Sequence, residues 1–62
     1  MERLEVIGEH SVLVQTRQLG PNSWVCDLFR CADGVHPEGL LLEHYGESEL
    51  EAVSMALTEA HH

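Results

Sequence analysis

A strong turn signal between two apolar segments constrains the fold of this chain most. Residues 20–23 have the sequence Gly-Pro-Asn-Ser, and these residue types favour turns because Gly and Asn tolerate unusual dihedral angles while Pro pre-sets one. Residues 12–19 before the turn are rich in β-branched side chains, and residues 24–30 after it have the character of a returning strand. The pattern predicts an antiparallel hairpin over residues 12–30.

Both faces of the second hairpin strand are partly apolar. Successive side chains of a strand point to opposite faces, which groups Trp24, Cys26 and Leu28 on one face and Val25, Asp27 and Phe29 on the other. Two such faces indicate that both are covered, one of them by a helix or a partner. If the helix leaves the first face uncovered, Trp24 and Leu28 are the predicted interface residues, since large apolar anchors dominate protein–protein binding.

Two further strands are predicted around this hairpin. A short N-terminal strand over residues 3–7 places Leu4 and Val6 on one face and Ile7 on the other, and a turn-like break follows at residues 8–11. Residues 32–39 form a loop. Residues 40–45 then form a paired strand. Leu40, Leu42 and His44 lie on one of its faces, and Leu41 and Tyr45 lie on the other.

A helix closes the chain. Ser48 and Glu51 fit the capping box, in which each side chain accepts from the backbone N–H of the other residue, and neighbouring glutamates suit the positive end of the helix dipole. The predicted buried stripe consists of Leu50, Val53, Leu57 and Ala60. The terminal His61 and His62 are native or a tag remnant, and no role is assigned to them.

These elements predict one α+β domain over residues 1–62: a small antiparallel sheet of three to four strands with one C-terminal helix packed on a face. The order is β-β-β-α, with a possible extra N-terminal strand. A chain this short buries about 60% of its unfolded surface, so its core is small. Disulfides, a metal or a partner chain often support proteins of this size.

Charge narrows the possible partners. The net charge is −8, from eleven acidic residues against three arginines. Nucleic-acid binding requires cationic groups that replace counterions, and anionic lipids also repel such a surface, so neither partner is expected. An acidic surface attracts a basic protein, although the same charge also serves solubility.

No targeting or membrane segment is expected. The N-terminus is acidic where a signal peptide is basic. The longest apolar runs, residues 12–14 and 40–42, are far below the roughly 20 residues that span a bilayer. We therefore expect a cytoplasmic protein.

The two cysteines raise the question of a cross-link or a metal. Cys26 and Cys31 lie roughly 16 Å apart in an extended strand, beyond the reach of a disulfide, so buried reduced thiols are expected. The alternative is a zinc-stabilised module in which Cys26, Cys31, His36 and His44 are the ligands, because tetrahedral Cys2His2 sites occur in small proteins.

Catalysis has little support from the sequence. Cys31, Asp33 and His36 could be drawn as a nucleophile with its base and acid, but a catalytic site needs a concave pocket, which so short a chain rarely encloses. No phosphate-binding glycine motif, nucleophile elbow or metalloprotease motif occurs. We expect no enzyme activity and no cofactor.

One segment resembles a known family. Gly46-Glu47-Ser48 followed by Glu51-Ala52-Val53 resembles the start of the helix in HicB-type antitoxins, where a short β-β-β unit with a Trp leads into such a helix. The resemblance covers roughly a third of the chain, and the proline-glycine loop of the family before the third strand is absent. It implies an acidic module that masks a basic, RNA-cleaving partner.

Two functional hypotheses follow from different classes. The first is a protein-interaction module, either a homodimer or the acidic partner of a basic protein, because a partner would cover the second apolar face and pair an exposed strand edge. The second is the zinc-stabilised module. The oligomeric state and the content of bound metal discriminate between them.

Overall fold

The computed structural model describes residues 1–61, so His62 lies outside the described residues. The elements are β1 (Glu2–Ile7), β2 (His10–Gly20), β3 (Ser23–Arg30), β4 (Gly39–Gly46) and α1 (Glu49–Ala60). The strands form one antiparallel sheet in the order β1-β2-β3-β4. The predicted α+β class is confirmed, including the N-terminal strand and the C-terminal helix.

Two tight turns connect the first three strands. Gly8 between β1 and β2 has a φ of 64°, in the left-handed region that favours glycine. The predicted turn at residues 20–23 connects β2 to β3, where Gly20 pairs with Ser23. A register shift between Gln18 and Gly20 shows that Leu19 is an extra residue at the end of β2.

One face of the sheet is covered by α1, which packs mainly on β3 and β4 and less on β2. The core between the two layers consists of Val12, Val14, Cys26, Leu28, Ala52, Val53 and Ala56. Trp24 packs against the edge of this core. The predicted grouping of Trp24, Cys26 and Leu28 on one face is therefore confirmed, and this face is the covered one.

The helix begins as predicted but faces the sheet differently. Ser48 is the N-cap, and its Oγ accepts from the Glu51 N–H at 3.1 Å. The buried helix residues are Ala52, Val53 and Ala56, whereas Leu50 of the predicted stripe is 78% exposed. The stripe was wrong at Leu50 because the small Ala52 and Ala56 let the helix approach the sheet closely. At 12 residues, α1 is too short to cross a membrane, and it is the one helix within residues 1–61.

A glycine allows this close approach at the end of β4. A Cβ on Gly46 would lie 2.6 Å from the Ala52 N atom and 3.0 Å from its Cα. Backbone atoms cannot yield as a side chain can, so the first turn of α1 requires glycine at this position. The contact explains why a glycine ends β4 opposite Ala52 of the helix.

A β-bulge changes the face of one leucine in β4. Phe29 pairs with Leu40 and Leu28 pairs with Leu42, which leaves Leu41 as the extra residue. The predicted grouping of Leu40 with Leu42 and His44 was therefore wrong. Leu40 lies on the face opposite the helix, together with Phe29.

Candidate protein-binding face

The sheet face opposite α1 carries rows of side chains that run across the strands. We call this surface the open face. Its apolar row consists of Leu4, Leu13, Phe29 and Leu40, which follow one another through the registers of all four strands. Its polar row consists of Glu2, Gln15, Asp27 and Glu43. Beyond the polar row lie Arg17, Val25 and Tyr45.

The apolar row remains accessible in the folded chain. Leu4 is 48% exposed and Leu40 is 55% exposed, while Leu13 and Phe29 between them are half-buried. Val6 extends the apolar surface along β1 and is 70% exposed. No element of residues 1–61 covers this row in the way that α1 covers the other face. The open face therefore has an apolar centre accessible to solvent.

The loop over residues 31–38 borders the apolar row. Val35 and Pro37 line a hollow with Leu4, Leu13 and Phe29. The loop is held by Asp33, whose Oδ1 accepts from the backbone N–H groups of His36 at 2.7 Å and Val35 at 2.9 Å. These backbone hydrogen bonds lower the pKa of Asp33 well below its usual range. Asp33 thus fixes the loop whose Val35 and Pro37 line the hollow.

The polar row is held by hydrogen bonds and ion pairs. Gln15 donates to the Glu2 carboxylate at 3.2 Å. The Arg17 guanidinium lies 3.3 Å from Asp27 Oδ2 and 3.7 Å from Glu43 Oε2, and the Tyr45 hydroxyl donates to Glu43 at 3.1 Å. One guanidinium group thus pairs with two carboxyl groups, so acidic side chains outnumber basic ones in this part of the open face.

Asp27 is the buried member of the polar row. Its side chain is 7% exposed, and within the described residues its Oδ1 atom is buried without a hydrogen-bond donor. Burial raises the pKa of Asp27, and a hydrogen bond with Glu43 raises it further. The same hydrogen bond lowers the pKa of Glu43. The two pKa shifts are opposite in direction: Asp27 holds its proton to a higher pH than an ordinary aspartate, and Glu43 releases its proton at a lower pH than an ordinary glutamate.

The predicted interface residues lie on the covered face instead. Leu28 has no exposed surface beneath α1, and Trp24 is half-buried against the same core. The alternation of side chains along β3 correctly places Trp24 and Leu28 on the same face. It does not indicate which of the two faces the helix covers. The uncovered apolar residues of β3 and its neighbours are those around Phe29.

The four candidate zinc ligands are divided between two places. Cys26 and His44 are cross-strand neighbours under α1, where His44 contacts the Glu59 carboxylate. Cys31 and His36 lie at the loop, and His36 Nδ1 is 2.7 Å from Asp33 Oδ2. Among residues 1–61, no three His, Cys, Asp or Glu side chains come together as a metal centre would require.

The two thiols are buried and unbridged, as predicted. Burial raises the pKa of the Cys26 thiol, and the neighbouring Asp27 charge adds to this effect, so Cys26 is a poor nucleophile. Cys31 is 4% exposed, with its Sγ 3.9 Å from the Phe29 carbonyl oxygen. Its thiol packs into the structure while His36 and Asp33 face solvent.

The chain matches no protein-family model, no curated protein and no solved structure. The resemblance of residues 46–53 to HicB-type antitoxins therefore stays a prediction.

Proposed function

We propose that this chain is a protein-interaction module whose open face binds a basic segment of another protein. The observation that supports the proposal most is the exposed apolar row of Leu4, Leu13, Phe29 and Leu40 in a chain whose only helix within residues 1–61 covers the opposite face. An apolar centre with a polar rim is the usual anatomy of a protein interface.

Charge decides which kind of partner suits this face. Glu2 and Glu43 flank the apolar row on one side, and Asp33 lies in the loop that borders it. With a net charge of −8, the surface accelerates encounter with cations and repels acidic proteins. A segment that alternates basic and apolar residues would place its apolar side chains on the row and its cations on the rim.

The resemblance to HicB-type antitoxins points in the same direction. It implies an acidic module that masks a basic partner, which is the same charge relation that the open face favours. The proposal does not depend on that family, because the apolar row and the acidic rim support it independently.

Nuclear magnetic resonance tests the proposal with a defined probe. The 15N-labelled chain is titrated with a short peptide of alternating Lys and Leu. We expect saturable shifts of the amide signals of Leu4, Leu13, Phe29 and Leu40, and little change at Leu50, which is exposed on α1.

Two control peptides separate charge from apolar contact. Alternating Lys and Ser keeps the charge and removes the apolar side, and alternating Glu and Leu reverses the charge. We expect both controls to bind at least about tenfold more weakly, since about 1.4 kcal/mol changes a dissociation constant tenfold. Equal binding of the Lys-Ser peptide, or shifts confined to α1, would contradict the proposal.

A further inference from the structure

Within residues 1–61, β1 is an edge strand with a regular backbone and no strand paired on its outer side. It is the first strand in the order β1-β2-β3-β4, and its pairing with β2 runs through six consecutive residue pairs without a shift. The other edge, β4, carries the Leu41 bulge and packs against α1, and bulges are a common protection of sheet edges. Of the two edges, β1 is the one suited to pairing with another strand.

The hydrogen bonds to β2 show which backbone groups of β1 point outward. The Thr16 N–H donates to the Met1 carbonyl at 2.8 Å, so residue 1 belongs to a hydrogen-bonded pair. Such pairs alternate along an antiparallel ladder. Arg3, Glu5 and Ile7 therefore direct their backbone groups toward β2. The N–H and C=O groups of Glu2, Leu4 and Val6 point to the outer edge.

The side chains of β1 are complementary to a second copy in one register. When two β1 strands pair antiparallel with Leu4 opposite Leu4, Arg3 of each strand lies opposite Glu5 of the other. Leu4 then forms a hydrogen-bonded pair with Leu4 of the second chain, and Glu2 of each chain forms one with Val6 of the other. Arg3 and Glu5 occupy the closer, non-hydrogen-bonded positions, where Cα atoms are about 4.5 Å apart.

The neighbouring registers are unfavourable by charge. Moving the twofold axis by one residue along β1 slides the partner strand by two residues, which keeps the faces matched. In these two registers Arg3 lies opposite Arg3 or Glu5 lies opposite Glu5. Like charges directly opposite one another destabilise a strand pair, and opposite charges stabilise it. The Arg3 and Glu5 side chains are 48% and 37% exposed and lie 2.9 Å apart within one chain, so they can exchange partners.

We propose that the chain forms a twofold homodimer through antiparallel pairing of β1 with β1, centred on Leu4. The two sheets then become one continuous sheet, and the two open faces lie side by side with both Leu4 side chains at the junction. This dimer is independent of the basic partner proposed above, because it uses backbone edge groups and the Arg3–Glu5 pairs. The repulsion between two chains of charge −8 opposes it and is screened by salt.

Charge-swap variants test the dimer and its register together. Sedimentation at physiological ionic strength is measured for the wild type, for Arg3→Glu and for Glu5→Arg, each alone and as an equimolar mixture. Each variant alone meets only like charges across the axis, so we expect its dimer to be at least about tenfold weaker. In the mixture every Glu faces an Arg, and we expect the heterodimer to form with near wild-type affinity.

The design separates the interface from folding and from net charge. Both variants keep a strongly acidic net charge, so long-range attraction cannot produce the heterodimer, and recovery in the mixture shows that both variants fold. Glu38→Arg in the loop makes the same charge change as Glu5→Arg and should leave the dimer intact. A wild type that is monomeric throughout, or a dimer that the single variants do not weaken, would overturn the proposal.

Discussion

Asp27 shows how one buried group links the open face to stability. Its folded pKa is raised chiefly by burial, whereas in the unfolded chain it titrates near its ordinary value of about 3.9. As the pH rises through that value, Asp27 loses its proton in the unfolded chain before it does so in the folded chain. The free energy of unfolding therefore falls until the pH has passed the pKa of Asp27 in the folded chain. The cost lies in burying a charge whose partner, the Arg17 guanidinium, is itself more than half exposed to solvent.

Asp27→Asn is therefore expected to be more stable than the wild type at about pH 7 and similar to it at about pH 4. The Asn side chain can donate to Glu43 without holding a titratable proton. Urea unfolding at both pH values measures the difference. A variant that is less stable at the higher pH would show instead that the ionised Asp27–Arg17 pair stabilises the fold.

Gly46 carries a steric prediction with a matched control. Gly46→Ala forces a Cβ to within 2.6 Å of the Ala52 N atom, and the overpacking should lower the free energy of unfolding by about 1–3 kcal/mol or more. Gly39→Ala, at the other end of the same strand, meets nothing within 4 Å and should be close to neutral. Equal thermal midpoints for the two variants would refute the close approach of α1 to β4.

At the scale of elements, the helix depends on its N-cap. Ser48→Ala removes the hydroxyl that accepts from the Glu51 N–H at 3.1 Å and should cost about 1 kcal/mol. Ser54→Ala, on the exposed side of α1, should be neutral or slightly stabilising, because Ala is the better helix former. The two variants are compared by denaturant unfolding, and a Ser48→Ala variant as stable as Ser54→Ala would argue against the cap.

The elements were more predictable than their arrangement. The turn at residues 20–23 and the cap at Ser48 are local signals, and local signals fix where strands and helices begin and end. The covered face of β3 was not decidable locally, since Leu28 and Phe29 are equally apolar and only the packing of α1 distinguishes them. The Leu41 bulge has no sequence signature either, so Leu40 was placed on the wrong face and one anchor of the candidate site was missed.

At the scale of the whole molecule, charge should limit stability. The chain has eleven acidic residues and three arginines, and the excess negative charges repel one another in the folded state. Exposed pairs such as Arg3–Glu5 contribute little. We expect NaCl to raise the melting temperature by screening the repulsion. A melting temperature that falls with NaCl would show that specific ion pairs outweigh the net charge.

The two faces of the sheet differ in cover: α1 packs on one face, and the apolar row of the other face is accessible to solvent. Two exposed leucines allow a matched comparison. Leu40 is 55% exposed on the open face, and Leu50 is 78% exposed on the outer side of the helix. Replacing either one by Ser removes a similar apolar side chain from the surface and leaves the core intact.

Calorimetric titration of the Lys-Leu peptide into Leu40→Ser and Leu50→Ser tests the difference between the two surfaces most directly, with circular dichroism verifying that both variants fold. We predict that Leu40→Ser weakens binding about tenfold, as expected for the loss of about 1.4 kcal/mol of apolar contact, while Leu50→Ser binds like the wild type. Equal weakening of both variants, or weakening of Leu50→Ser alone, would contradict the open face as the binding surface.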